Sequence, residues 1–229
     1  MAADFKKLYL RTDWPDRIQQ WLAVLLQLAI FALLATALFK GKWFLAFTAA
    51  IVLALTFLPA LIEHQLGVLL PVEFSFFTCL ILYGSFGLGE VQGFYQKFWW
   101  WDLLLHSSSA FVMGMIGFLL VYVFYMTQRI RMAPFYVALV SFCFAVTLGT
   151  IWEIVEFCLD WGFGFNMQKS GINDTMTDLM VDGLGALLAA WLGYNYVKDG
   201  DSLVADRLVR RFVEKNPRLF KLTWFGRLR

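Results

Sequence analysis

Charge is the scarcest property of this sequence. Asp, Glu, Lys and Arg make up 16% of its 229 residues, where a soluble domain carries about 25%. Sixty per cent of the residues are hydrophobic and the mean hydropathy is +0.66. A water-soluble globule is thereby excluded, and the chain belongs in a membrane. Cysteine is nearly as scarce. Cys79, Cys143 and Cys158 each lie in an apolar segment with no CxxC spacing, which excludes a disulfide framework or a thiolate metal centre and leaves three small buried hydrophobes. No GxxxxGK[ST] phosphate loop, internal repeat or low-complexity tract is present. The small net charge of +2 gives no reason to expect a nucleic-acid partner.

What the chain has instead is long apolar runs. A transmembrane helix needs about 20 mostly apolar residues, and six runs qualify: 21–39, 43–62, 66–88 (interrupted by Pro71 and Glu73), 103–126, 132–159 and 175–197. The expected fold is all-α, a polytopic bundle of six transmembrane helices over residues 21–198. A polar segment, 1–20, precedes it and is unlike a cleavable signal peptide. Residues 199–229 form a tail in which Leu203, Val204, Leu208 and Phe212 alternate with basic residues. That pattern predicts a basic amphipathic helix lying on the inner leaflet, with membrane lipids as its partner.

Lys and Arg set the orientation. With six spans, 15 of these residues fall on the side that holds both termini. Only Lys40, Lys42, Lys97 and Lys169 fall on the other. Both termini are therefore expected in the cytoplasm.

The few acids are not scattered. Asp102 and His106 open the fourth span, Glu153, Glu156 and Asp160 close the fifth, and Asp174, Asp178 and Asp182 open the sixth. With this topology all eight lie toward the outer face. Their spacings of three and four put each group on one helix face. Asp102 and Asp174 also suit helix capping, and Asp178 would gain from the helix dipole. That explanation fails for Glu153 and Glu156 near a helix C-terminus, where the dipole opposes an anion, and for Asp182, two turns in. His106 reads either as a satisfied core histidine or as a member of the same cluster. Carboxylates this close either share protons in a wet pocket, share a cation, or form a structural polar network. For a divalent cation, His106, Glu153, Glu156 and Asp178 are the candidate ligands, an oxygen-rich set with one imidazole that suits Mg²⁺, Mn²⁺, Ca²⁺, Fe²⁺ or Zn²⁺. Ser107–Ser109 beside His106 read as close-packing residues rather than nucleophiles.

The motifs Trp100-Trp101-Asp102-x-x-x-His106, Trp152-Glu153-x-x-Glu156-Phe157-x-x-Asp160 and Gly171-x-x-Asp174-Thr175-Met176-x-Asp178-Leu179, followed by Gly185-Ala186, resemble the YjdF group of bacterial inner-membrane proteins. The resemblance implies a multi-pass inner-membrane protein and carries no substrate with it. More distantly, the order is similar to the VanZ-like membrane proteins, with Asp102, His106, Glu153, Asp178, Gly185 and Ala186 on matching positions. Glu156 stands where that motif has Gln and Asp182 where it has Asn, so this cluster is the more acidic. VanZ-like proteins are associated with tolerance to glycopeptide-type antibiotics.

Three functional readings follow from the sequence. The first is an outward-facing site for a metal ion and an amphipathic envelope or lipid ligand, catalytic or binding. The second is a proton- or cation-coupled transporter, weakened by the lack of an inverted repeat. The third is a non-catalytic assembly or stress-tolerance factor. The topology is directly testable. In a background without the three native cysteines, a cysteine at Gln168 should react with an impermeant thiol reagent in intact cells. Labelling only after permeabilisation would reverse the orientation.

Overall fold

A peptide group has no hydrogen-bond partner in hydrocarbon, so an apolar chain satisfies its backbone within helices. The computed structural model describes residues 14–126, 132–200 and 203–224, and every regular element among them is helical. They are α1 (Trp14–Phe39), α2 (Trp43–Leu55), α3 (Leu58–Leu66), α4 (Val72–Leu82), a π-helical segment (Tyr83–Val91), α5 (Phe94–Lys97), α6 (Trp101–Met126), α7 (Pro134–Phe163), α8 (Ile172–Asp199), α9 (Leu203–Lys215) and α10 (Pro217–Trp224). Five helical stretches are long and apolar enough to cross a membrane, or six if α2 and α3 count as one bent span.

The apolar run 43–62 is thus not one straight helix. It bends by 41° between α2 and α3. Pro59 stands in the first turn of α3, where its ring removes one donor and starts a new helix. Thr56 closes the break: its hydroxyl donates to the Leu53 carbonyl at 2.6 Å and accepts from Gln27 Nε2 at 3.1 Å. The run 66–88 also differs, since its helix begins only at Val72, after Pro71. From Tyr83 it widens into π-helical turns in which Gly84, Gly87 and Gly89 are buried. A side chain at Gly89 would enter the ring of Tyr95, whose hydroxyl lies 2.8 Å from Ser85 Oγ.

The chain divides into two compact units, a subdivision without a counterpart in the sequence reading. The first runs to Phe98 and includes Glu214–Asn216. In it α1 packs on α2, α4 and the π-helical segment. Asn216 pairs with both backbone groups of Leu69 at 2.7 Å, and Glu63 accepts the Leu70 N–H at 2.7 Å.

The second unit starts at Trp99. In it α6, α7 and α8 all pack against one another. Small residues allow the close approach. Gly114 faces Ala189 and Ala145, Gly117 faces Phe144, and Gly185 faces the backbone of Ser107 and Phe111. Phe118, Met115, Ala186 and Ala189 are buried between the helices, and Ser141 Oγ donates to the Gly114 carbonyl at 2.7 Å.

Two expectations change here. Only Cys79 is buried, while Cys143 and Cys158 are exposed on α7. An apolar residue in a membrane helix serves equally well against lipid or against protein, so hydropathy cannot tell the two apart. The tail does form an amphipathic helix, α9, with Arg207 and Arg210 outward. Its apolar side, however, is covered by protein: Ala205, Leu208, Val209 and Phe212 are all buried. Leu208 and Phe212, expected at the leaflet, are thus covered, while the side chains of Leu203 and Val204 lie outside the described residues.

Gly185 and Gly183 separate packing from helix propensity. A Cβ at Gly185 would strike the Ser107 carbonyl oxygen, which is backbone and cannot rotate away, whereas a Cβ at Gly183 meets nothing within 4 Å. Gly185→Ala should therefore lower thermal stability in detergent by about 1–3 kcal/mol. Gly183→Ala should be neutral or stabilising by up to ~1 kcal/mol. Equal melting temperatures for the two variants would contradict the close α6–α8 contact.

Candidate functional site

The acidic residues converge because of helix direction. Helices α6 and α8 begin where α7 ends, so Asp102 and His106, Glu153 and Glu156, and Asp174, Asp178 and Asp182 gather at one end of the second unit. Helix α7 enters through Pro134 in its first turn and stops at Gly164, whose left-handed backbone (φ 69°) ends the helix. A loop then leads to Gly171, the N-cap of α8.

His106 is the centre. Its Nδ1 lies 3.5 Å from Asp182 Oδ1 and 3.8 Å from Glu153 Oε1, and its Nε2 lies 3.9 Å from both Asp102 Oδ1 and Asp178 Oδ2. All four distances exceed the about 2.7–3.2 Å of an ordinary N–H···O bond. Two ring nitrogens cannot in any case satisfy four carboxylates. Three of these acids are deeply buried, with side-chain exposures of 3% for Glu153, 4% for Asp178 and 3% for Asp182. Asp102 is 21% exposed, and its Oδ2 pairs with Lys169 Nζ at 2.6 Å.

Glu153 is the anomaly. Both of its carboxylate oxygens are buried without a hydrogen-bond partner. The donors that face it are the His106 ring and the Thr175 hydroxyl, which accepts from Gln168 Nε2 at 2.5 Å and keeps its own O–H to turn toward Glu153. Asp182 has its place because α7 carries glycine opposite it, since a Cβ at Gly149 would collide with Asp182 Oδ2.

The remaining acids do other work. Asp160 accepts the backbone N–H groups of Met167 and Gln168, both at 2.8 Å, and so shapes the loop after α7. Asp174 is not the cap of α8, which is Gly171. It sits in the first turn and accepts the Lys169 N–H at 3.0 Å. Asp178 lies in the second turn rather than the first. Glu156 is half-buried. Ser109 donates to the His106 carbonyl at 2.9 Å, a packing arrangement and not that of a nucleophile.

Among the described residues, two sets of donor atoms come close enough to hold a metal ion. His106, Glu153 and Asp178 form one, and Asp102, Asp174 and Asp178 the other, with the atoms of each set within 4.8 Å of one another. Glu156, expected among the ligands, belongs to neither. The first set, one imidazole with two carboxylates, suits Mn²⁺, Fe²⁺ or Zn²⁺, while the all-oxygen second suits Mg²⁺, Ca²⁺ or Mn²⁺. Sequence reasoning missed Lys169 and Gly149. Both act across helices, where spacing along the chain carries no information. The only hint was that Lys169 is a basic residue in a loop between two acidic helix ends.

The chain is similar to a protein of Thermotoga maritima named "Uncharacterized protein", with 36% identity over 113 residues. The match takes in 47% of this chain and 54% of the relative, so the chain spans about half the length of the curated protein it matches. No solved structure matches the chain. Residues 20–199, which contain all of α6, α7 and α8, match the model of the family described as "Predicted membrane protein (DUF2238)", and the chain belongs to that family.

Proposed function

We propose that this multi-pass membrane protein binds a divalent cation through His106, Glu153 and Asp178, with Asp182 behind them. The cation would face the outer membrane–water boundary and engage the head group of a lipid or another amphiphile. The observation that carries the reading is Glu153, a carboxylate with both oxygens buried and no donor but the Thr175 hydroxyl and the His106 ring within reach, next to three more acids around one imidazole. An isolated charge in such a place is strongly unfavourable. It must lose its charge or meet a positive one, and a divalent ion would neutralise two acids at once. Support for the outward orientation is the excess of Lys and Arg on the side of the termini.

The test is Mn²⁺ and Zn²⁺ titration of the purified protein in mild detergent. One ion per chain is expected. Glu153→Gln should weaken binding at least about tenfold, a loss of ~1.4 kcal/mol, and Glu90→Gln, an exposed acid in the first unit, should not. Metal at about 100 times its Kd should stabilise the wild type by ~2.7 kcal/mol. Protons compete for imidazole and carboxylate alike, so affinity should fall as the pH is lowered. The sign of the stability change in Glu153→Gln decides between the two fates of the carboxylate. With a bound metal the variant is less stable, and a chelator reproduces the loss in the wild type only. Without one, removing an unpaired buried acid makes the protein more stable, and the metal reading is rejected.

A further inference from the structure

We infer that Lys169 is the built-in counter-cation of this site, its ammonium closing the mouth over Asp102 and having to swing away before a divalent ion enters. The inference rests on the cation-binding reading above and adds the step that controls access.

The geometry is layered. Glu153, Asp178 and Asp182 form the buried floor, His106 lies above them at 11% exposure, and Asp102 at 21% and Lys169 at 33% form the rim. Asp102 joins the layers: Oδ2 holds Lys169 Nζ at 2.6 Å, and Oδ1 faces His106 Nε2 at 3.9 Å. The same carboxylate belongs to the second donor set with Asp174 and Asp178. Lys169 therefore already supplies positive charge to a carboxylate that a metal ion would use.

The loop is held by its own hydrogen bonds, and the Lys169 side chain is 33% exposed. Asp160 takes the N–H groups of Met167 and Gln168, Asp174 takes the N–H of Lys169 itself, and Gln168 donates to Thr175. Gly171, with φ at 65°, turns the chain into α8. What moves is a flexible four-carbon stem and not the loop. A lysine suits such a gate, since its ammonium is a compact point charge without the planar two-point grip of arginine. Paired with Asp102, it repels an arriving cation and withholds one carboxylate. Swung outward, it releases Asp102 to the site.

Two measurements on the full-length protein test this. The first is the Mn²⁺ affinity of Lys169→Met, which removes one positive charge at the mouth and should bind about tenfold tighter at low ionic strength. Lys169→Arg keeps the charge and can grip Asp102 at two points, so it should bind no tighter than the wild type. The second needs no variant. With saturating Mn²⁺, acylation of Lys169 by an amine-directed reagent, read by mass spectrometry, should rise severalfold, while that of Lys97 stays constant. Wild-type binding with unchanged or weaker affinity in Lys169→Met, or no metal-dependent change in Lys169 acylation, would overturn the gate and leave the metal site standing. No Mn²⁺ binding by either protein would overturn both.

Discussion

The approach of α8 to α6 at Gly185 sets the geometry of everything around it. With no side chain at that position, the α8 backbone lies against the Ser107 carbonyl. His106 is the neighbour of Ser107, and Asp182 and Asp178 precede Gly185 by three and seven residues, on the same helix face. One backbone contact therefore fixes the depth at which the imidazole meets both aspartates. Gly149 performs the same service from α7, leaving the space that Asp182 fills. The acids are held together by glycines that are themselves uncharged. Like charges forced to one depth repel, and the packing further along the same helices opposes that repulsion. Phe118, Met115, Ala186 and Ala189 are buried there, and Gly193 sits against the Phe118 ring.

Much of this was legible in the sequence, for identifiable reasons. Hydropathy reports lipid solubility directly, so the membrane class and the number of apolar runs could be read. The 3.6-residue period carried the acidic stripes of α6, α7 and α8. Helix ends were less legible. Helix α1 is already helical from the first described residue, Trp14, through Asp16, Arg17, Gln19 and Gln20, because a helix continues into the polar boundary after its apolar residues stop. The bend after Leu55 was hidden for the opposite reason, since the residues around Thr56 and Pro59 are apolar enough to look continuous. Nothing in composition shows whether an apolar face meets lipid or protein. Cys143, Cys158, Leu208 and Phe212 were misread on that account.

Within the cluster, identical letters do different jobs, and their hydrogen bonds distinguish them. Asp160 and Glu153 lie seven residues apart on α7. Asp160 has both oxygens engaged by backbone N–H groups, so its charge is satisfied by the loop it shapes. Glu153 has neither oxygen engaged. A sequence pattern cannot separate the two cases, because the satisfying groups belong to a loop without periodicity. The same loop hid Lys169, which sequence reasoning counted only toward topology.

The ordering of these groups by depth bears on how a cation would reach the floor of the site. A hydrated divalent ion gives up its water only where oxygen or nitrogen ligands replace it. From rim to floor the route offers Asp102 with Asp174 and Asp178, then His106 with Glu153 and Asp178. Asp178 belongs to both sets, so an ion passing from the outer to the inner would keep one ligand throughout and exchange the others around it. If the site takes a cation as proposed, such a shared ligand would lower the barrier to transfer, because the ion would not be left with water lost and no carboxylate gained. In the proposed reading, the deep and otherwise unsatisfied Glu153 provides the drive inward, and the lysine at the rim sets when the journey can begin.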